Sequence, residues 1–353
     1  MALWRRSAFM TGVTCGMTLL ALSMAAGARA QTGADFYASH PITLISSFAA
    51  GGFNDLASRL VARHFGRFVP GAPGIIVKNI PGAGGVIAAN NLYQTAARDG
   101  TVIGQLDRGI PQTGFRGAPN VKFDVLGFTW LGSLSTYANE ACILWVRKDH
   151  PAMSVEDLKK ASLHTRLGTV PGATNHLLSK VSKKVLGLNV DVITGYPGAG
   201  PIWIALLNGE LDGHIIGTSS VESSHPHLLK DGGIRPLVQF GRQTRMAGYE
   251  NVPTGLEIAR DENERALVEF AELPFVTSLP FVAPPNIPAD RAQILDAAFQ
   301  AMIVDPEFIQ DAQRMKIEIS PIAGKPLMEL LKKYSQTSKA VIERYNEVID
   351  SDQ

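Results

Sequence analysis

The sequence is short of several things at once. Its 353 residues contain only two cysteines, Cys15 near the N-terminus and Cys142. If the N-terminal segment is removed, Cys142 stands alone and no internal disulfide can form. Its setting, Ala141-Cys142-Ile143-Leu144-Trp145-Val146, marks a buried small hydrophobe rather than a reactive thiol. Neither sign of charge is in excess, with 33 Lys and Arg against 32 Asp and Glu. That balance gives no electrostatic reason to expect nucleic acid or an anionic membrane as a partner. Beyond the N-terminus no run reaches the roughly 18 uninterrupted apolar residues of a membrane helix. Enzyme motifs are scarce too. There is no His-Glu-x-x-His, no paired-cysteine motif and no Gly-x-Ser-x-Gly elbow. Pro81-Gly82-Ala83-Gly84-Gly85-Val86 does not give the dinucleotide spacing, and no Walker sequence occurs. His225-Pro226-His227 reads as a solvated loop tip, and Ser219, Ser220, Ser223 and Ser224 surround Glu222 with no base marked beside them. We therefore expect no metal, no cofactor and no catalytic residue, although a triad assembled from distant residues would leave no local motif.

What is present begins with Met1–Ala30. Arg5 and Arg6 precede a run of Ala, Leu, Met and Gly, and Ala28-Arg29-Ala30 fits a small-x-small cleavage site. This is the order of a secretory signal peptide cleaved after Ala30, which places the mature protein in the periplasm. Cys15 follows Thr14 inside the apolar run, a poor setting for lipidation. Loss of Arg5, Arg6 and Arg29 takes the formal charge from +1 to −2. The remaining length suits about two domains, each able to bury a core.

Strand-like and helix-like segments alternate. Ile42–Ile45, Ile75–Val77 and Thr101–Gly104 are short β-branched runs, separated by helical patterns over Asp55–Phe68 and Val86–Ala97. The grammar restarts with strands at Cys142–Val146, Thr165–Val170, Val190–Ile193, Gly213–Ile216 and Arg235–Phe240, and helices at Asn175–Leu186 and Ile202–Leu207. This is α/β architecture in two units. Pro280, Pro284, Pro285 and Pro288 read as a linker into helical tail segments, the last a single amphipathic helix over Lys325–Ile349.

Four glycine-rich turns follow strands and open helices: Phe48–Asp55, Asn79–Gly85, Gly168–His176 and Gly195–Gly200. In parallel sheets such turns lie at the carboxyl ends of strands, where ligands bind. Glycine lets the backbone approach a ligand, and the next helix offers orphan N–H groups at its positive end. Together these make an anion site without Lys or Arg. Two turns of this type in each unit point to a ligand held between two lobes.

The sequence Pro41-Ile42-Thr43-Leu44-Ile45-Ser46-Ser47-Phe48-Ala49-Ala50-Gly51-Gly52-x-x-Asp55-x-x-x-Arg59 resembles the opening motif of the Bug, or TctC, family. Its members are the extracytoplasmic binding proteins of tripartite tricarboxylate transporters. Asn79-Ile80-Pro81-Gly82-Ala83-Gly84-Gly85 resembles that family's second loop, and Asp99–Gly104, Gly209–Asp212 and Pro284–Arg291 resemble later landmarks in order. The resemblance implies a two-lobed, type-II-like periplasmic binding protein, each lobe a βαβ-type sheet flanked by helices. It assigns residues 31–135 and 285–353 to the first lobe and 136–284 to the second. Phe48, Ala50, Gly51, Gly52, Phe53, Asn54, Ala83, Gly84 and Gly85 would hold a ligand carboxylate through backbone amides and ordered water. Thr169, Gly172, Ala173, Thr174 and His176 would face them, with Pro197, Gly198 and Ala199 nearby. The Thr169–His176 loop is shorter than the family pattern and lacks its second glycine, which leaves that end less defined.

Several side chains admit two roles. Asp55 is a helix N-cap or a ligand contact. Arg108 is a fork for a second carboxylate or a surface partner of Asp107. His176 is a ligand donor or a plain surface histidine. Phe53 is a cover over an apolar ligand body or a packed aromatic. The expected function is a monomeric receptor that closes on a small organic carboxylate by hinging near Ser133–Asn139 and Val276–Pro284. It would deliver the ligand to TctA- and TctB-like membrane subunits. A ligand-presenting partner of a sensor kinase, and a periplasmic enzyme using the same cleft, are the alternatives.

Overall fold

A computed structural model describes residues 33–351; the leader and its cleavage point after Ala30 lie outside the described residues. Eleven strands form two sheets: β1 (Ile42–Ser46), β2 (Ile75–Asn79), β3 (Val102–Gln105), β4 (Thr129–Ser133), β5 (Cys142–Arg147), β6 (Thr165–Thr169), β7 (Val190–Thr194), β8 (Gly213–Gly217), β9 (Ile234–Phe240), β10 (Pro280–Ala283) and β11 (Ile322–Ala323). The first sheet runs β11-β4-β10-β3-β1-β2 and the second β7-β6-β8-β5-β9. Each has a parallel core, β3-β1-β2 in one and β7-β6-β8 in the other. Each is extended by antiparallel strands on one side.

Strand composition follows from burial on both faces. Cys142-Ile143-Leu144-Trp145-Val146 is buried throughout, so β5 is apolar without alternation. The helix Phe53–His64 buries Ala57, Leu60 and Val61 against the first sheet and turns Arg59 and Arg63 outward. One apolar cluster lies on the outer side of the first sheet, around Phe281, Phe299 and Phe308. Another covers the outer side of the second, around Trp145, Trp203 and Leu206. The largest is shared: it runs from Leu92 and Trp130 through Phe270 and Phe275 to Leu144, Leu178 and Val181. Cys142 is buried within it, and burial pushes its thiol up to about 12, which removes thiolate chemistry at neutral pH.

The chain crosses between sheets twice, over residues 134–141 and again at 277–279 after the helix Glu262–Val276. Three features differ from the pattern reading. Pro280–Ala283 is a fully buried strand between β4 and β3, not part of a linker. Pro280 is tolerated as the first residue of that strand. The tail helix is two helices, Gly324–Ser335 and Lys339–Asp350; Ser338 interrupts it by capping the second, accepting from the Val341 N–H at 3.3 Å. The last helix also touches the second sheet's side, where Lys180 Nζ donates to Ile349 O at 2.8 Å.

β4 carries a register shift where it pairs with β10. Gly132 sits there at φ +145°, and a Cβ would lie 2.4 Å from Ile322 O and 2.5 Å from the Phe299 ring. Gly132→Val should therefore cost about 2 kcal/mol or more through strain and overpacking. The urea midpoint of unfolding would drop accordingly, whereas Gly74→Val, at an open position of ordinary φ, should leave far more of it intact.

Candidate ligand-binding cleft

The carboxyl ends of β1, β2 and β3 present loop one (Ser47–Gly52), loop two (Ile80–Gly85) and Asp107-Arg108. The carboxyl ends of β6, β7 and β8 present Val170–Ala173, Gly195–Gly198 and the helix Thr218–Ser224. Arg108 joins the two rims: its guanidinium donates to Thr174 Oγ1, from the first residue of the helix after β6. That bond brings the Asp107-Arg108 turn at the end of β3 against the start of the helix after β6.

Loop one is held from beneath. Asp55 is 1% exposed and lies at the third helical position, so it is not the N-cap. That role falls to Gly52, which has no side chain with which to cap. The Asp55 carboxylate instead accepts from the Gly51 N–H (2.8 Å), Arg59 Nε (2.9 Å) and Asn79 Nδ2 (2.8 Å). Asn79 Nδ2 also donates to Phe48 O at 2.9 Å, so the residue that opens loop two fastens loop one. Burial alone would raise the Asp55 pKa, but the donors from Arg59, Gly51 and Asn79 outweigh it and hold the carboxyl at about 2. Ser47 donates through Oγ to Gln105 O at 3.0 Å, tying loop one to β3. Gly51's amide is committed to Asp55; the amides at the start of the helix Phe53–His64 have no side-chain cap.

Loop two turns through four successive left-handed residues, Gly82, Ala83, Gly84 and Gly85, with φ of +129°, +48°, +59° and +87°. Ala83 adopts that conformation without glycine's freedom, a local strain of about 1 kcal/mol. A Cβ on Gly84 would meet nothing within 4 Å, so this turn faces open space. Gly85 begins the helix Val86–Gln94 with no side-chain cap.

On the opposite rim, Ala173 and Gly198 begin the helices Thr174–Lys184 and Ala199–Leu207, again uncapped. Pro197 and Ala199 are exposed there. Thr169 is buried, and its hydroxyl donates to Ile193 O at 3.2 Å. His176 is not a plain surface histidine: its Nδ1 accepts the Gly172 N–H at 3.2 Å. That bond leaves Nε2 carrying the proton of the neutral ring, and burial, with Lys180 adding to it, lowers its pKa.

Arg108 forms no ion pair with Asp107, whose carboxylate accepts from the Gly109 N–H at 2.8 Å. Its guanidinium lies 5.2 Å from the Phe275 ring centroid and its carbonyl accepts from Thr277 Oγ1 at 3.0 Å. Phe53 is 53% exposed, so it is not a packed core aromatic. The sequence reading missed Ser46, Gln105, Tyr137, Glu140 and Ser219. Ser46 Oγ and Gln105 Nε2 are buried at the ends of β1 and β3 without a protein partner. Glu140 accepts from the Ser219 hydroxyl and its amide at the start of the helix after β8; burial raises its pKa. Nothing local marks these residues, because each acquires its role from a strand end distant in sequence. His225 packs on Trp203, with ring centroids 4.6 Å apart, instead of projecting as a free loop tip.

Residues 67–347 match the family model described as the tripartite tricarboxylate transporter family receptor, TctC. Protein BugT of Bordetella pertussis is 27% identical over 245 residues, which cover 67% of this chain and 71% of that one. A TctC solute-binding protein from Polaromonas, solved without ligand, superposes with a TM-score of 0.67 at 20% identity, covering 89% of this chain and 99% of its own. The Rhodopseudomonas palustris protein Rpa4515, solved with adipate, gives 0.57 at 20% identity, covering 88% and 98%. The fold is that of a two-lobed periplasmic binding protein, and the chain belongs to the TctC, or Bug, family of tripartite tricarboxylate transporter receptors.

Proposed function

We propose that the protein is a periplasmic receptor that takes a small organic carboxylate into the cleft between its sheets. It then delivers that ligand to the membrane subunits of a tripartite tricarboxylate-type transporter. The observation that supports this reading is the set of four helix starts without a side-chain cap, two after strands of each sheet, with Arg108 bonded from one set to Thr174 of the other. Each offers orphan amides and a positive helix end, and an anion placed between them satisfies both. Export with cleavage after Ala30 fits the family's periplasmic setting. The first lobe would comprise residues 31–135 and 285–353 and the second 136–284, with one chain forming the whole site.

In this reading the amides of Phe53 and Asn54, with those around Ala83, Gly84 and Gly85, take one carboxylate. Ala50 and Gly52 leave room for it, and Phe48 fixes the loop through its carbonyl. Ser46 Oγ and Gln105 Nε2 are the buried groups able to hold the ordered water that the family uses there. Arg108, Thr174 and His176 Nε2–H are the donors for the far end, beside Gly172, Ala173, Pro197, Gly198 and Ala199; Thr169 shapes this rim. Phe53 covers the ligand body. The adipate bound to Rpa4515 supports a dicarboxylate, whose second group would meet Arg108.

A thermal-shift screen over mono- and dicarboxylates tests this, since binding to the native state raises the midpoint by mass action. Gly52 has ordinary φ and open space where a Cβ would stand. Gly52→Trp should fold normally and lose ligand-induced stabilisation; unchanged stabilisation would refute the carboxylate pocket. Arg108→Ala should weaken a dicarboxylate by about tenfold or more, as expected for loss of a charged hydrogen bond worth roughly 1.5–3 kcal/mol. A matched monocarboxylate should lose much less, as read by calorimetry. Asp55 supplies a pH signature. Its folded pKa of about 2 lies below the ordinary 3.8, so its stabilisation is complete above pH 3.8 and disappears as pH falls through 2. The stability advantage of wild type over Asp55→Asn in urea should shrink across that window and vanish at its acid end.

A further inference from the structure

Glu272 lies in the helix Glu262–Val276, one turn before the second crossing, and is 4% exposed. Neither carboxyl oxygen makes a well-formed hydrogen bond to the protein, although the Gly241 amide gives partial relief. The side chain borders a cavity of about 260 Å³ whose walls include Tyr137 from the first crossing, Gly241 and Arg242 after β9, Val276 and Tyr334. The first crossing and the helix that leads into the second therefore meet at one cavity. Its walls are closely fitted: a Cβ on Gly241 would lie 2.7 Å from the Phe275 ring. Arg242 Nη1 donates to the carbonyls of Tyr137 (3.1 Å), Ala138 (2.8 Å) and Glu140 (2.9 Å), clamping the first crossing. Tyr137 itself is held at φ +58°.

The charges around Glu272 do not neutralise it. On its own helix Glu269 adds negative potential and is itself engaged with Arg265 (3.8 Å) and Lys333 (3.5 Å). Tyr334 and Cys142 face it from the tail helix and from β5, and both are held protonated, mainly by burial. Arg242 is committed to backbone carbonyls. A buried carboxylate without a partner is strongly disfavoured, so the neutral acid is the form that suits this cavity.

We propose that Glu272 is a proton-binding site at the hinge, and that its protonation biases the rotation of the two lobes. Burial pushes its pKa up to about 8. Loss of the proton favours any arrangement of the crossings that admits water to the carboxylate, because the charged form must be solvated. The present arrangement is retained while the acid is neutral. This bias rests on the two-lobed receptor proposed above but does not depend on which ligand the cleft takes.

The experiment compares the ligand-free protein with Glu272→Gln, a neutral isostere. Carboxyl-carbon NMR should find one glutamate titrating near pH 8, absent from the variant. Small-angle scattering at about pH 6 and about pH 10 should show a change of radius of gyration in wild type that the variant lacks. Titration of every carboxyl below about pH 6, or equal scattering changes in both proteins, would overturn the proposal. If the Gln variant does not fold, Glu272→Leu carries the same comparison.

Discussion

The loops at the carboxyl edge of the first sheet depend on one buried carboxylate. In the proposed receptor loop one has to leave helix amides open toward the cleft, and a loop with open amides cannot hold itself in place by backbone pairing. Asp55 resolves that conflict from below. It binds the Gly51 amide behind the open helix start, and through Asn79 it also fixes the start of loop two. The charge is kept where three donors meet it, so the cost of burying it is offset within the protein. The loops are thereby held in place by the protein itself, so in the proposed receptor binding would spend little on ordering them.

The same economy is absent at the proposed hinge. If the lobes turn there, the crossings at 134–141 and 277–279 have to allow two arrangements, and their environment cannot be equally satisfied in both. Here the structure tolerates an open cavity, a positive-φ tyrosine and an unpartnered glutamic acid, three features that each cost stability. In the proposed receptor, rigid rims and an imperfect hinge would be complementary parts of one device. If the rims flexed, closure would not bring their amides to a common point.

The pattern reading found the α/β class, the parallel cores and the glycine turns, because each is encoded locally: β-branched runs, helical spacing and backbone freedom. It failed where long-range packing decides. Pro280–Ala283 looks like proline-rich linker, yet it is the strand that joins the parallel and antiparallel halves of the first sheet. The amphipathic tail looked continuous across Gln336–Ser338, since periodicity is blind to a cap that wins over helix continuation. Asp55 lies in the turn expected of it, but it braces loop one and does not cap the helix. Its partner Asn79 is 24 residues away, and no local rule links the two. Gln105, Glu140 and Glu272 carry no local signal for the same reason, and Ser219 stands in a visible serine stretch whose carboxylate partner, Glu140, is 79 residues away.

Arg108 connects these two regimes. Its side chain reaches from the first rim to the opposing helix start, while its backbone carbonyl receives the hydroxyl of Thr277 at the second crossing. Its guanidinium also rests over Phe275, the residue before the last of the helix that carries Glu272. A cation beside a helix N-terminus is electrostatically unfavourable by itself. An anionic ligand group entering between Arg108 and the Thr174 helix would turn that repulsion into two attractions. Because the same residue touches the crossing, the change would be felt where the lobes turn. In the proposed receptor the cleft and the hinge would therefore be coupled through direct contact at one residue, with no need for a longer path between them.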